Sequence, residues 1–199
     1  MARTRRRTAE IRRHTRETRI RLRLDLDGTG RFRGRTPIGF FDHMLDSLAR
    51  HALLDLEMRA EGDSRVDGHH TVEDVGIVLG KALDEALGDR KGIRRFGSAI
   101  VPLDEALALA AVDLSGRGHL EYRVPPTRTK AGAYDPNLTE DFLEALAKNG
   151  RLTLHVQALW GRNVHHIQEA VFKAVARALR EALEMDPRVR GIPSTKGSL

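Results

Sequence analysis

The sequence predicts an α+β fold made by internal duplication of one half. Two observations predict it. Segments of strand periodicity alternate with segments of helical periodicity, in the same order twice. Three short stretches of the first half also recur, in order, in the second. Such alternation places helices on one face of each sheet. The repeat divides the chain into residues 1–92 and 93–199, two halves of one compact unit.

In the first half, Ile20, Leu22, Leu24 and Leu26 alternate with polar residues. That is a half-buried strand, and it ends in the turn Asp27-Gly28-Thr29-Gly30. Phe41 to His51 reads as a helix with Met44, Leu45 and Leu48 on one face. Leu54 to Ala60 alternates again as a strand. Thr71 to Leu87 carries Val75, Val78, Leu79, Ala82 and Leu83 at helical spacing and is closed by Gly88 and Gly92. The second half repeats the series: strand Ala108–Leu114, helix Leu138–Ala147, strand Leu152–Ala158 and helix Ile167–Leu183.

The recurring stretches are anchors at the residue level. Asp25-Leu26-Asp27-Gly28 resembles Asp113-Leu114-Ser115-Gly116. Asp42-His43-Met44-Leu45 resembles Glu140-Asp141-Phe142-Leu143. His69-His70-Thr71-Val72-Glu73 resembles His165-His166-Ile167-Gln168-Glu169.

Composition narrows the chemistry. There is no cysteine, which excludes disulfides and thiolate metal sites and fits a reducing, cytoplasmic setting. No apolar run approaches a membrane span. The net charge of +6 favours an anionic partner, either a nucleic acid or a phosphorylated metabolite. Nine aromatics (six Phe, two Tyr, one Trp) are few for a base-stacking platform. The Arg-rich stretch Met1–His14 has no apolar segment behind it, so it reads as a frayed or interface arm and not as a secretory signal.

The motif that carries chemistry is His-His-x-x-Glu, present twice. On a helix, positions i and i+4 share a face and i+1 is rotated by roughly 100°. His69 therefore points with Glu73, and His165 with Glu169, while His70 and His166 point elsewhere. Imidazole with carboxylate suits Mn, Fe or Zn, and each motif can feed two ions. A single copy occurs readily on a solvated face, but a solvated face has no reason to keep the same three side chains in both repeats. The repeat also pairs His43 with Asp141, either of which can ligate a borderline metal. Of the other histidines, His155 reads as structural, His51 as a helix-end residue, and His14 and His119 as surface residues. Candidate phosphate-binding groups are Arg94-Arg95, Arg117, Lys173 and the Ser194-Thr195-Lys196-Gly197 stretch, since Arg offers a bidentate fork and Lys a point charge.

Several of these stretches together resemble the imidazoleglycerol-phosphate dehydratase family. They are Phe41-Asp42-His43-Met44-Leu45, Asp67-Gly68-His69-His70-Thr71-Val72-Glu73-Asp74, Arg95-Phe96-Gly97, Pro102-Leu103-Asp104-Glu105-Ala106-Leu107 and Asp113-Leu114-Ser115-Gly116-Arg117. The segment from His165 to Ala174 and Pro193-Ser194-Thr195-Lys196-Gly197 complete the set. The resemblance spans Glu17 to the C-terminus. It implies a duplicated ribosomal protein S5 domain 2-like half and two Mn2+ per chain. It also implies self-association into a large homo-oligomer, an octahedral 24-mer whose metal ligands meet across subunit contacts, with no nucleic-acid or membrane partner. The implied metal ligands are His43, His69, His70, Glu73, His165, His166 and Glu169. Asp141 is the eighth, standing where the family commonly has His. The implied substrate contacts are Glu17, Arg95, Arg117, Lys173, Ser194 and Lys196. Ser47 stands where the family often has Gln. The implied reaction removes water from D-erythro-imidazole glycerol phosphate to give imidazole acetol phosphate in histidine biosynthesis.

The hydrogen removed in that reaction is not acidic, so the imidazole ring must supply the activation. Two Lewis-acid metals at the ring nitrogens serve that purpose. Glu17, Glu73 and Glu169 are the catalytic carboxylates, and Glu17 and Glu169 are the candidates for the base. Two other readings stand beside the enzyme. An RNA-binding protein would account for the basic N-terminus but leaves both metal motifs unexplained. A metal store would bind metal without phosphate dependence.

Overall fold

The structure, a computed structural model, describes residues 6–62 and 67–199. Each half has the same order of elements: an antiparallel hairpin, a strand–helix–strand crossover, and a closing helix. In the first half these are β1 (Thr8–His14), β2 (Thr18–Asp25), β3 (Phe32–Arg35), α1 (Gly39–Ala52), β4 (Asp55–Gly62) and α2 (His69–Leu87). In the second they are β5 (Phe96–Leu103), β6 (Ala106–Asp113), β7 (His119–Arg123), α3 (Leu138–Gly150), β8 (Thr153–Trp160) and α4 (Val164–Leu183). The sheets run β1-β2-β4-β3 and β5-β6-β8-β7, with β3–β4 and β7–β8 the parallel pairs.

The alternation that marks β2 and β4 sets the layers. Ile20, Leu22 and Leu24, with Leu56, Met58 and Ala60, are buried, while Arg19, Arg21, Arg23, Glu57 and Arg59 face out. The helices lie on the buried faces: α2 on β1 and β2, and α4 on β5 and β6. They also pack across the halves, α2 on α3 and α1 on α4. The α2–α3 approach is close because α2 has glycine where the backbones meet. A Cβ at Gly76 would stand 2.5 Å from the Phe142 carbonyl oxygen, and one at Gly80 2.7 Å from that of Leu146.

One sequence expectation is corrected here. The Arg-rich N-terminus is not a frayed arm over Thr8–His14. That stretch pairs residue for residue with β2 and buries Ala9, with Arg12 on the outer side and Arg13 turned inward to Asp74 of α2 at 2.8 Å. Residues 1–5 lie outside the described part. His155, read as structural, is exposed on the outer face of β8 beside His119.

The two outer sheet faces differ. On the first sheet Arg12, Arg21, Arg59 and Arg35 stand in register across all four strands. On the second the outward side chains include Phe96, Ile100 and Trp160, 57%, 60% and 63% exposed.

Candidate active site

Both His-His pairs sit in the first turn of a helix. Asp67 Oδ1 accepts the N–H of His69 at 2.9 Å, and Asn163 Oδ1 accepts that of His165 at 2.9 Å. These side chains satisfy donors that a helix start leaves open.

The helix packing then joins the halves crosswise. His43 on α1 meets the second motif on α4: Glu169 Oε2 lies 3.4 Å from His43 Nε2 and 3.2 Å from His165 Nε2. One ligand atom from each of His43, His165 and Glu169 falls within 4.8 Å of the others, so the three converge on one point. Asp141 on α3 meets the first motif on α2. Its Oδ2 is 3.5 Å from His69 Nδ1, and His69 Nε2 is 3.8 Å from Glu73 Oε2. This second set is looser, with the His69 ring standing between the two acids.

The donors fit a divalent cation of borderline hardness: imidazole and carboxylate in both sets. Burial pushes the Glu169 carboxyl up. The Lys173 ammonium 2.8 Å from its Oε1, with His43, outweighs that and holds it below the usual carboxylate range. Glu169 is therefore an anion with every oxygen engaged. Phe40 closes the first set from one side, its ring centroid 5.1 Å from that of His165. A cleft of about 560 Å3 opens beside them, lined by Lys130, Arg162 and Asn163 among others.

His70 and His166 diverge from these sets, as the helical spacing predicts. His70 Nε2 lies 3.9 Å from Glu17 Oε1, and its Nδ1 is buried without a partner. His166 Nδ1 lies 2.7 Å from Glu105 Oε2. Glu17 is in the β1–β2 turn and Glu105 in the β5–β6 turn. The displacement along the chain that carries Asp25 onto Asp113 also carries Glu17 onto Glu105. Sequence reading assigns Glu105 no role, although that repeat offset, run back from the Asp anchors, points to it.

Arg95, the turn before Arg117 and the C-terminal segment gather at the other end of the β5–β6 hairpin. Arg95 holds Asp113 through Nε at 2.8 Å and Nη2 at 3.2 Å, and donates from Nη1 to the Pro193 carbonyl at 2.8 Å. Gly116 abuts Leu199, and Ser194 Oγ accepts the N–H of Lys196 at 3.2 Å. Among the described residues neither Arg117 nor Lys196 has an ion pair, so these are the open cations there. The eight residues of β5 separate this end from the turn that meets His166. At the rise of a strand that is roughly 25 Å. Lys173 stands apart from Arg95, Arg117, Ser194 and Lys196, at the metal set. Ser47 is buried on α1 and reaches none of them.

A sequence profile of imidazoleglycerol-phosphate dehydratase matches residues 36–179, a stretch that holds both motifs, His43 and Asp141. The chain belongs to the imidazoleglycerol-phosphate dehydratase family. It is 62% identical over 194 residues to the imidazoleglycerol-phosphate dehydratase of Granulibacter bethesdensis, covering 97% of this chain and 99% of that one. To the enzyme of that name from Paracoccus denitrificans it is 57% identical, covering 97% and 100%. Two family structures share the fold. The Staphylococcus aureus dehydratase superposes with a TM-score of 0.81 at 36% identity, over 90% of this chain and 99% of that one. The Pyrococcus furiosus dehydratase gives 0.81 at 39% identity, over 95% and 100%. The duplicated α+β fold is thus a family property, and the crosswise sets sit on its helices. No helix among the described residues is long and apolar enough to cross a membrane.

Proposed function

We propose that this chain dehydrates imidazole glycerol phosphate to imidazole acetol phosphate, as a cytoplasmic, Mn2+-dependent lyase of histidine biosynthesis. The observation that carries the reading is the convergence of His43 with His165 and Glu169, drawn from different halves, in a chain of this family. His43, His165 and Glu169 would hold one Mn2+, and Asp141, His69 and Glu73 the other. His70 and His166, turned away from both sets, serve the metals of neighbouring copies. The metal supplies Lewis acidity at the imidazole nitrogens.

The chain's own residues do the rest. Glu17 is the base. Its side chain is 53% exposed, beside His70, whereas the oxygens of Glu169 are held by Lys173, His43 and His165. Glu17 takes the proton from the carbon next to the one that loses hydroxide. Lys173 keeps Glu169 ionised and aimed. Arg95, Arg117, Ser194 and Lys196 bind the phosphate, with Arg95 also fixing the C-terminal segment that brings Ser194 and Lys196 to it.

Because the phosphate end lies roughly 25 Å along the sheet from the His end, both can serve one substrate only if different copies contribute them. That supports a homo-oligomer. So does the apolar outer face around Phe96, Ile100 and Trp160, which favours being covered. The test is chelation. Removing metal should abolish turnover of imidazole glycerol phosphate and break the assembly into small oligomers by light scattering, with Mn2+ restoring both. Unchanged turnover after complete metal removal would refute the reading.

A further inference from the structure

Glu105 meets the second His-His pair with a geometry that its repeat mate lacks. Its Oε2 lies 2.7 Å from His166 Nδ1. Its Oε1 accepts the backbone N–H groups of Arg162 at 3.1 Å and Asn163 at 2.7 Å. The β5–β6 turn is thereby clamped to the start of α4, the turn that carries His166. An ionised carboxylate only accepts hydrogen bonds, so the ring nitrogen facing it carries the hydrogen. In the neutral imidazole the lone pair is then on Nε2. Asp104 is the other acid facing this ring, and its Oδ2 is 3.8 Å from Nε2, too far to hold a hydrogen there. In the first half the mates are differently disposed: Glu17 faces Nε2 of His70, not Nδ1.

We propose that Glu105 is a positioning residue that fixes the tautomer of His166 and keeps its Nε2 free to take a divalent cation. Its consequence for metal binding rests on the metal reading above, but the tautomer itself does not. Hydrogen bonds from a ligand's second nitrogen commonly set which nitrogen a metal takes.

The substitution Glu105→Gln inverts this contact with little change in shape. The amide oxygen still accepts from Arg162 and Asn163, and the amide NH2 turns toward Nδ1. A donor there requires the Nδ1 lone pair, which moves the ring hydrogen to Nε2. The Asn163 side chain still caps the N–H of His165, which should keep α4 formed.

Two measurements test the proposal on the full chain. The first is solid-state nitrogen NMR of metal-free protein labelled at histidine, at an alkaline pH where the ring is neutral. The wild type should show an Nδ1–H imidazole that His166→Ala removes, and Glu105→Gln should convert that signal to Nε2–H. An unchanged tautomer in Glu105→Gln, or an Nε2–H ring at His166 in the wild type, overturns the proposal. The second is a titration with Mn2+ alone. Affinity at one site should fall about 10- to 100-fold in Glu105→Gln. In a His166→Ala background the same substitution should have no further effect, since it acts through that ring. Loss of affinity that persists in that background would make Glu105 a general support of α4 and overturn the proposal. A Glu105→Ala variant gives the same comparison if Gln disturbs the fold. Wild-type protein that binds no Mn2+ would sink the metal reading, while the tautomer result would still decide the role of Glu105.

Discussion

Glu17 and Glu105 occupy matching turns in the two halves, yet one is clamped by two backbone N–H groups and the other has its carboxylate open. Hydrogen bonds from His166 first, then from Asn163 and Arg162, hold the Glu105 carboxyl at about 2, so it stays an acceptor. Glu17, with its carboxylate open, is the one proposed to move a proton. Glu17→Gln should lower kcat by about 100- to 10,000-fold while Mn2+ content stays at the wild-type value. A loss of metal equal to the loss of rate would make Glu17 part of metal binding instead. Asp141 is the residue at which the two metal sets differ, and it is also a first-turn acid favoured by the helix dipole. Its Oδ2 stands 3.5 Å from His69 Nδ1, on the far side of the ring from Glu73, so joint ligation with both requires the His69 ring to turn. Asp141→Asn should empty one Mn2+ site and leave the other filled, and Asp141→His should retain both. Equal metal content in all three proteins, measured side by side, would reduce Asp141 to a helix-end acid. The i, i+4 pairing of His69 with Glu73 and of His165 with Glu169 is legible from sequence because a helix has one period. The partner of Nδ1 on His166 is not, because it comes from a turn on another element.

The helices are easier to read than the hairpins. α1 to α4 all carry apolar residues at helical spacing, and the expected spans agree with the structure to within a few residues at each end. β1, β3, β5 and β7 leave weaker signals. β1 buries Ala9 and half-buries Ile11 among arginines, and β3 is four residues long with a glycine inside. β5 carries apolar residues on its solvent face, which blurs its alternation. Only the packing shows that α2 bears on α3 and α1 on α4, and this is what sets Asp141 against His69 and His43 against His165. Gly76 controls the first of these contacts. Gly76→Ala places a Cβ against the backbone of Phe142, so α3 must shift. We expect a loss of roughly 1–3 kcal/mol in denaturant unfolding, with the Asp141 site losing Mn2+ before the His43 site. A variant as stable as wild type, with both sites full, would show that α2 and α3 tolerate more separation than the structure implies.

At the scale of the molecule, duplication gives two sheets of one topology whose outer faces have parted, one arginine-covered and one apolar. A row of like charges across Arg12, Arg21, Arg59 and Arg35 opposes edge-to-edge and face-to-face pairing of the first sheet. The second sheet has no such guard, so self-association should favour that side. The distance along β5 between the His166 turn and the Arg95 end has a genetic consequence. Two alleles, one carrying His166→Ala and the other Lys196→Ala, each break a different end of every site in a uniform assembly. If copies share their sites as proposed, a cell that makes both chains has some sites that draw the His end from one product and the phosphate end from the other. Neither defect is present in those sites. With free mixing, about a quarter of the junctions between copies are intact. Such a strain should grow without added histidine although neither allele alone supports growth. If both ends of a site came from one chain, the pair of alleles would never complement.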